Sequence, residues 1–171
     1  MSVKKSHGSL FRHINVLTMF ILFSFTMSSV AQAETSEEYS IIDWKDLVPA
    51  SWRRPMIDPD PSEHHHVDKE SLASNLDKKN IKLAGYMLPI KFTSNVVSEF
   101  ILMPYLKHQV KTHAHHEPNQ MIYVKLSQPL EVTNPYSPIW ASGRLVLESV
   151  DTPEGHTGYT LEKATTEEYL Y

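Results

Sequence analysis

The chain has 171 residues, 16 basic and 20 acidic side chains, ten histidines, no cysteine and a formal net charge of −4. That balance argues against nucleic acid or anionic lipid as a partner, since both need basic surface. Without cysteine there is no disulfide, thiolate zinc site, thiol redox chemistry or lipoprotein anchor, and any metal must be held by nitrogen and oxygen.

In chain order, Lys4, Lys5, Arg12 and His13 make a basic start, an apolar run follows from Ile14 to Val30, and Ala31-Gln32-Ala33 supplies a signal-peptidase pattern. Residues 1–33 therefore read as a signal peptide, with a mature periplasmic chain starting at Glu34. An uncleaved anchor is the alternative, because the run approaches bilayer length. Ser24, Thr26, Ser28 and Ser29 dilute its second half, which favours cleavage and no stable membrane anchor. Removing Lys4, Lys5 and Arg12 leaves 13 basic against 20 acidic groups, a net charge of −7 over 138 residues. That length suits one domain with its own core.

Residues 34–66 read as an N-terminal extension and 67–171 as a β domain. Within the extension, Ile41 to Pro49 predicts a short helical turn capped by Asp43, and Trp44, Leu47 and Trp52 form a clasp for the core. Pro55, Pro59 and Pro61 predict an extended acidic and histidine-bearing loop. Asp68 to Asp77 has a capping acid and helical spacing, and predicts a short helix. Strands are then expected over Ile81–Ile90, Val96–Met103, Gln120–Leu126, Leu130–Thr133, Trp140–Val150 and Gly158–Thr165. Gly143 marks a bend or bulge, and Thr152-Pro153-Glu154-Gly155 a turn. This pattern predicts a mainly β fold: a small antiparallel OB-like barrel or a compact β-sandwich, with one or two short helices.

Gly85-Tyr86-Met87-Leu88-Pro89-Ile90, Glu99 to Tyr105 and Pro118 to Val124 resemble an uncharacterised bacterial family of small exported proteins, known as a domain of unknown function. The Ile42–Pro49 opening and the Trp140…Gly143 strand fit it too. The resemblance implies genes placed beside ABC-transporter permeases of the lipoprotein-release type, and so a transport-accessory role. The chain departs from the family pattern after Tyr105. Where the family has a cysteine, a following histidine and a proline run, this chain has Gln109, Lys111 and His113-Ala114-His115-His116-Glu117.

That departure is written in metal-binding residue types. His108, His113, His115, His116 and Glu117 fall within ten residues, and imidazole with carboxylate is an ordinary ligand set for zinc. In an extended loop His113 and His115 share one side, with His116 opposite unless the chain turns. His64, His65 and His66 form a weaker second cluster, suited to a recruiting arm, because three consecutive side chains cannot face one ion in regular structure. The bland alternative for both is a solvated polar loop. His156, in a turn, reads as a surface residue.

The expectation is thus a periplasmic divalent-metal-binding accessory of a transport system. Zinc comes first, with copper(II) or another divalent ion competing. Its partners would be the metal ion and an ABC-transporter permease or a periplasmic metal-binding protein. One alternative is a non-metal interaction module docking on a permease through the surface around Tyr105 and Trp140. A third is a metal-dependent hydrolase using Glu117 as base. No helical His-Glu-x-x-His, nucleophile elbow or phosphate loop supports an enzyme, and no catalytic residue is assigned.

Overall fold

The computed structural model describes residues 38–53, 67–106 and 117–170, all within one compact unit, Ser36–Tyr171. The strands are β1 (Ser40–Ile41), β2 (Asn80–Thr93), β3 (Val96–Met103), β4 (Ile122–Glu131), β5 (Ile139–Val146), β6 (Val150–Thr152), β7 (Gly155–Thr157) and β8 (Tyr159–Glu168). Five of them close a barrel in the order β2-β3-β4-β8-β5 and back to β2, with β1 added at an edge and β6–β7 a separate hairpin. Counting only barrel strands, the order is first, second, third, fifth, fourth, the arrangement of an OB-like barrel. The barrel settles the choice between the two expected architectures. The β4–β8 seam is parallel and the others are antiparallel.

Alternation builds the interior. From Ile81 to Met87 every second residue of β2 is buried, as a strand with one face inward requires. Ile81, Leu83 and Met87 meet Phe100 and Leu102 of β3, Ile122 and Val124 of β4, Leu145 of β5, and Tyr159 and Leu161 of β8. A second cluster lies outside the barrel: Ile101, Met103, Leu106, Met121 and Tyr123, with Val150 of β6 packed against it. β3 and β4 are therefore covered on both faces. This is why Phe100–Met103 and Met121–Val124 read as continuous apolar runs.

Gly143 stands where expected, at a register shift between Ser142 and Arg144 in the β5–β8 pairing. A side chain there would come within 2.8 Å of Glu162 O. The turn after Thr152 is also where the spacing puts it, joining β6 to β7. Three expectations change. The helix over 68–77 becomes two 3-10 turns, Lys69–Ser71 and Ser74–Leu76, because the Ala73 N–H between them is donated to the Tyr159 hydroxyl at 2.6 Å. The separate strand at Leu130–Thr133 merges into β4, which runs to Glu131 across a bulge against β3. The strand from Trp140 stops at Val146, and Val150 begins the hairpin instead.

The N-terminal clasp forms as a 3-10 turn, Trp44–Leu47, with the Asp46 carboxylate accepting from Asp43 N–H at 2.8 Å. β1 pairs with β2 at Ile81 and Lys82, and β3 pairs with β2 only from Tyr86 onward. The Trp44 indole fills the gap between them, donating Nε1–H to Ala84 O at 2.7 Å. Gly85 makes the room. A side chain there would sit 2.7 Å from Met103 O and 3.0 Å from the Trp44 ring.

Candidate functional site

Strand direction gathers several segments at one barrel end. Ile122 and Tyr159 are register partners at the starts of the parallel strands β4 and β8, so the residues just before each arrive side by side. The Pro118–Gln120 turn precedes β4, and its Pro118 carbonyl accepts from Gly158 N–H at 2.7 Å. Asn119 is buried, and its Nδ2 donates to Ser71 O at 3.1 Å. Gln120 Nε2 donates to Trp44 O at 3.2 Å. Tyr159 is fully buried beneath these turns. It accepts from Ala73 N–H and donates to Leu47 O, both at 2.6 Å. Burial pushes its hydroxyl pKa up to about 12. One hydroxyl thus ties three separate stretches of chain together. Asn119 Oδ1, by contrast, has no hydrogen-bond partner among the described residues.

Of the expected metal ligands, Glu117 lies at this end. It is half-buried and extended, and its carbonyl accepts from Gln120 N–H at 2.8 Å. His64, His65, His66, His108, His113, His115 and His116 lie outside the described residues. Among the described residues no group of three or more metal-ligating side chains converges.

Two further constellations escape a reading by motif. Glu99 on β3 is held by Tyr123 Oη, which donates to it, and by Lys91 Nζ at 3.0 Å. Burial works to raise the Glu99 pKa. The hydrogen bonds from Tyr123 and Lys91 and the charges of Lys91 and Lys125 outweigh that, and the net shift is downward. Burial and the carboxylate together raise Tyr123 to about 12. A phenol held that firmly in its protonated form is a structural donor, not a nucleophile. On the β6–β7 hairpin, His156 Nδ1 donates to Asp151 Oδ1 at 2.5 Å. His156 was read as a surface residue of the turn; the register of the hairpin, which sets 151 opposite 156, is the signal that would have found the pair.

A cleft of about 620 Å³ opens where the clasp meets β2 and β5. Trp44, Tyr86, Trp140 and Tyr169 give it an aromatic lining, with Pro104 and Pro138 beside them. Trp140 and Tyr169 stack with ring centroids 5.3 Å apart, and Lys82 Nζ lies 5.5 Å from the Trp140 ring. Asp43, Lys45 and Asp46 line it too. This surface includes Trp140, one of the two residues around which docking was expected, while Tyr105 is not among its lining residues.

The family model DUF3299, a protein of unknown function, matches residues 44–168, from the Trp44 clasp to the end of β8. The chain belongs to the DUF3299 family. A DUF3299 family protein from Pseudomonas aeruginosa PAO1 has a crystal structure similar to it, with a TM-score of 0.57 and 24% identity. The match covers 78% of this chain and 99% of that one, and shows the shared fold. No curated protein matches. No helix among the described residues is long and apolar enough to cross a membrane.

Proposed function

We propose that this DUF3299 protein is exported to the periplasm and binds a divalent metal, zinc first, as an accessory to a transport system. His113, His115 and His116 are its primary ligands, His108 and Glu117 complete the sphere, and His64, His65 and His66 recruit the ion. One observation carries the reading: the hydrogen bond from Asn119 to Ser71. His66 precedes Ser71 by five residues and His116 precedes Asn119 by three. The described residues that follow the two histidine segments in sequence, 67–71 and 117–119, thus meet at one barrel end. Nitrogen and oxygen ligands imply exchangeable binding in which copper(II) competes well.

Calorimetric titration of zinc into the wild type and into a His113→Ala/His115→Ala/His116→Ala variant tests this. The trio variant should lose most of the affinity, and removing residues 64–66 should cost less. Binding should collapse toward pH 5, as protons compete for nitrogens whose unperturbed pKa is about 6.5. Equal binding by wild type and trio variant would end the proposal.

The aromatic cleft favours a second reading, an interaction module that docks on an ABC-transporter permease. Two tryptophans, two tyrosines and two prolines around one opening are the residue types that anchor protein contacts. Docking of this kind should survive loss of the histidines and fail in Trp140→Ala. Co-purification of the permease with each variant separates the two readings.

A further inference from the structure

We propose that the aromatic cleft takes an extended, proline-rich segment of a partner protein, with a basic residue of that segment at the acidic rim; this deepens, and rests on, the docking reading above. The slot follows from strand geometry. Ile81 and Leu83 are buried in the barrel, so Lys82, Ala84 and Tyr86 alternate outward along β2. Ala84 is opposite Trp140 of β5, and directly opposed side chains share a face. The Ala84 methyl is therefore the floor of the cleft. Trp140 flanks it on one edge of β2, and the Trp44 indole, bonded to Ala84 O at 2.7 Å, fills the other. Two indoles beside a methyl make an apolar slot, which a rigid pyrrolidine ring can enter without losing rotamer freedom.

Hydrogen-bonding chemistry narrows the occupant. Trp44 Nε1–H is already donated, but among the described residues no hydrogen bond engages Trp140 Nε1–H or the Tyr86 hydroxyl. The cleft thus offers donors. A polyproline II segment has solvated carbonyls and, at each proline, no N–H, so it offers acceptors. Aromatic-lined grooves recognise such segments in this way. A free cation fits less well, because Lys82 Nζ already lies 5.5 Å from the Trp140 ring and is paired with Glu167 at 2.7 Å. The rim at the clasp is different. There Asp43 and Asp46 stand against a single ammonium, that of Lys45, which lies 3.4 Å from Asp43. One negative charge is left over, and it matches an arginine or lysine beside the prolines. Tyr169 stacks on Trp140 with centroids 5.3 Å apart and holds that ring in place, so little freedom is lost on binding.

The probes are an acetylated oligoproline carrying one terminal arginine, the same oligoproline without arginine, a glycine–serine peptide and tetramethylammonium, each followed through the tryptophan indole N–H resonances by NMR. The arginine-bearing oligoproline should bind and move the Trp140 resonance. Without arginine it should bind more weakly, and the difference should vanish in high salt. Ala84→Leu should abolish binding by raising the floor. Tyr86→Phe should weaken it roughly two- to tenfold, as loss of one hydrogen bond does, with circular dichroism unchanged. If Ala84→Leu fails to fold, Tyr86→Phe decides the matter. An unmoved Trp140 resonance, equal binding of the glycine–serine peptide, a response to tetramethylammonium in place of oligoproline, or wild-type affinity in the folded variants would overturn the inference. Permease co-purification keeps the two claims apart. If it is lost in Trp140→Ala while oligoproline does not bind the wild type, docking stands and this occupant is wrong; if neither permease nor oligoproline binds, both fall.

Discussion

The two sides of the Trp44–Leu47 turn have opposite fates. Leu47 is fully buried, and its carbonyl accepts from Tyr159 in the hub that closes the barrel end. Trp44 is half-buried and lines an open cleft with Trp140 and Tyr169. One four-residue turn thus serves as a structural plug on one side and a presented surface on the other. Substitutions in the hub should cost stability, and substitutions in the cleft should cost binding. Where that division fails, the cleft is part of the fold and not a site.

The largest effect is expected at Tyr159. Phenylalanine there keeps the ring but leaves Ala73 N–H and Leu47 C=O unpaired in a dry interior. Each orphaned buried group costs about 1–3 kcal/mol, so Tyr159→Phe should lose roughly 2–4 kcal/mol in urea unfolding, allowing for partial relaxation. A loss under about 1 kcal/mol would mean that water reaches the hub.

Next comes Trp140→Ala, which removes a ring stacked on Tyr169 and faced by Lys82. Aromatic pairs contribute about 0.5–1.5 kcal/mol and exposed cation–π contacts about 0.5–1. A loss of about 1–2 kcal/mol is expected, smaller than that at Tyr159. Loss of permease co-purification without unfolding would mark the cleft as a docking surface.

Much of this division was legible in the residues. Alternation from Ile81 to Leu88 located β2, because a strand with one wet face announces its period, and the β-prone apolar run Val96–Met103 matched β3 at both ends. The clasp was legible from Trp44, Leu47 and the capping acid. The helix at 68–77 failed because one long-range hydrogen bond, from Ala73 to Tyr159, outweighed local propensity. Pairings of that kind leave no local trace. The hub residues Asn119 and Tyr159 were missed for the same reason. The cleft was half visible, through Trp140 but not through Tyr169, since nothing in the sequence brings the C-terminal end of β8 beside β5. Glu117 was read as a candidate ligand, and the structure places it immediately before the Pro118–Gln120 turn.

A smaller, pH-dependent effect separates the hub from the β3–β4 face. The Glu99 pKa is lowered in the folded state. Its stabilising contribution is therefore present above the ordinary carboxylate range and lost as pH falls through the lowered value. Tyr123 is raised to about 12, so its contribution holds below its ordinary value near 10 and disappears as pH climbs toward 12. Tyr123→Phe should therefore be destabilised most near neutrality. The gap to wild type should narrow in acid and again in strong base. A gap that stays constant from pH 3 to 7 would mean the phenol does not stabilise the charged carboxylate.

The smallest effect is expected at Lys82, which reaches Glu167 at 2.7 Å and lies over Trp140. The Glu167 side chain is 62% exposed, and solvent-exposed pairs contribute about 0.2–1 kcal/mol, less in salt. Lys82→Met keeps the stem against the ring and removes the charge, so its cost should stay within about 0.5 kcal/mol at physiological ionic strength. The pair nonetheless borders the cleft, because Trp140 pairs with Ala84 on one side and with Glu167 on the other. Removing the ammonium leaves one face of Trp140 without its cation and gives the cleft border a more acidic balance. If the cleft docks a partner, this variant should change that affinity and its salt dependence while barely moving the unfolding midpoint. Stability and binding that fall together at Lys82 would show that the pair holds the cleft in shape, and the division between hub and surface would then not reach this wall.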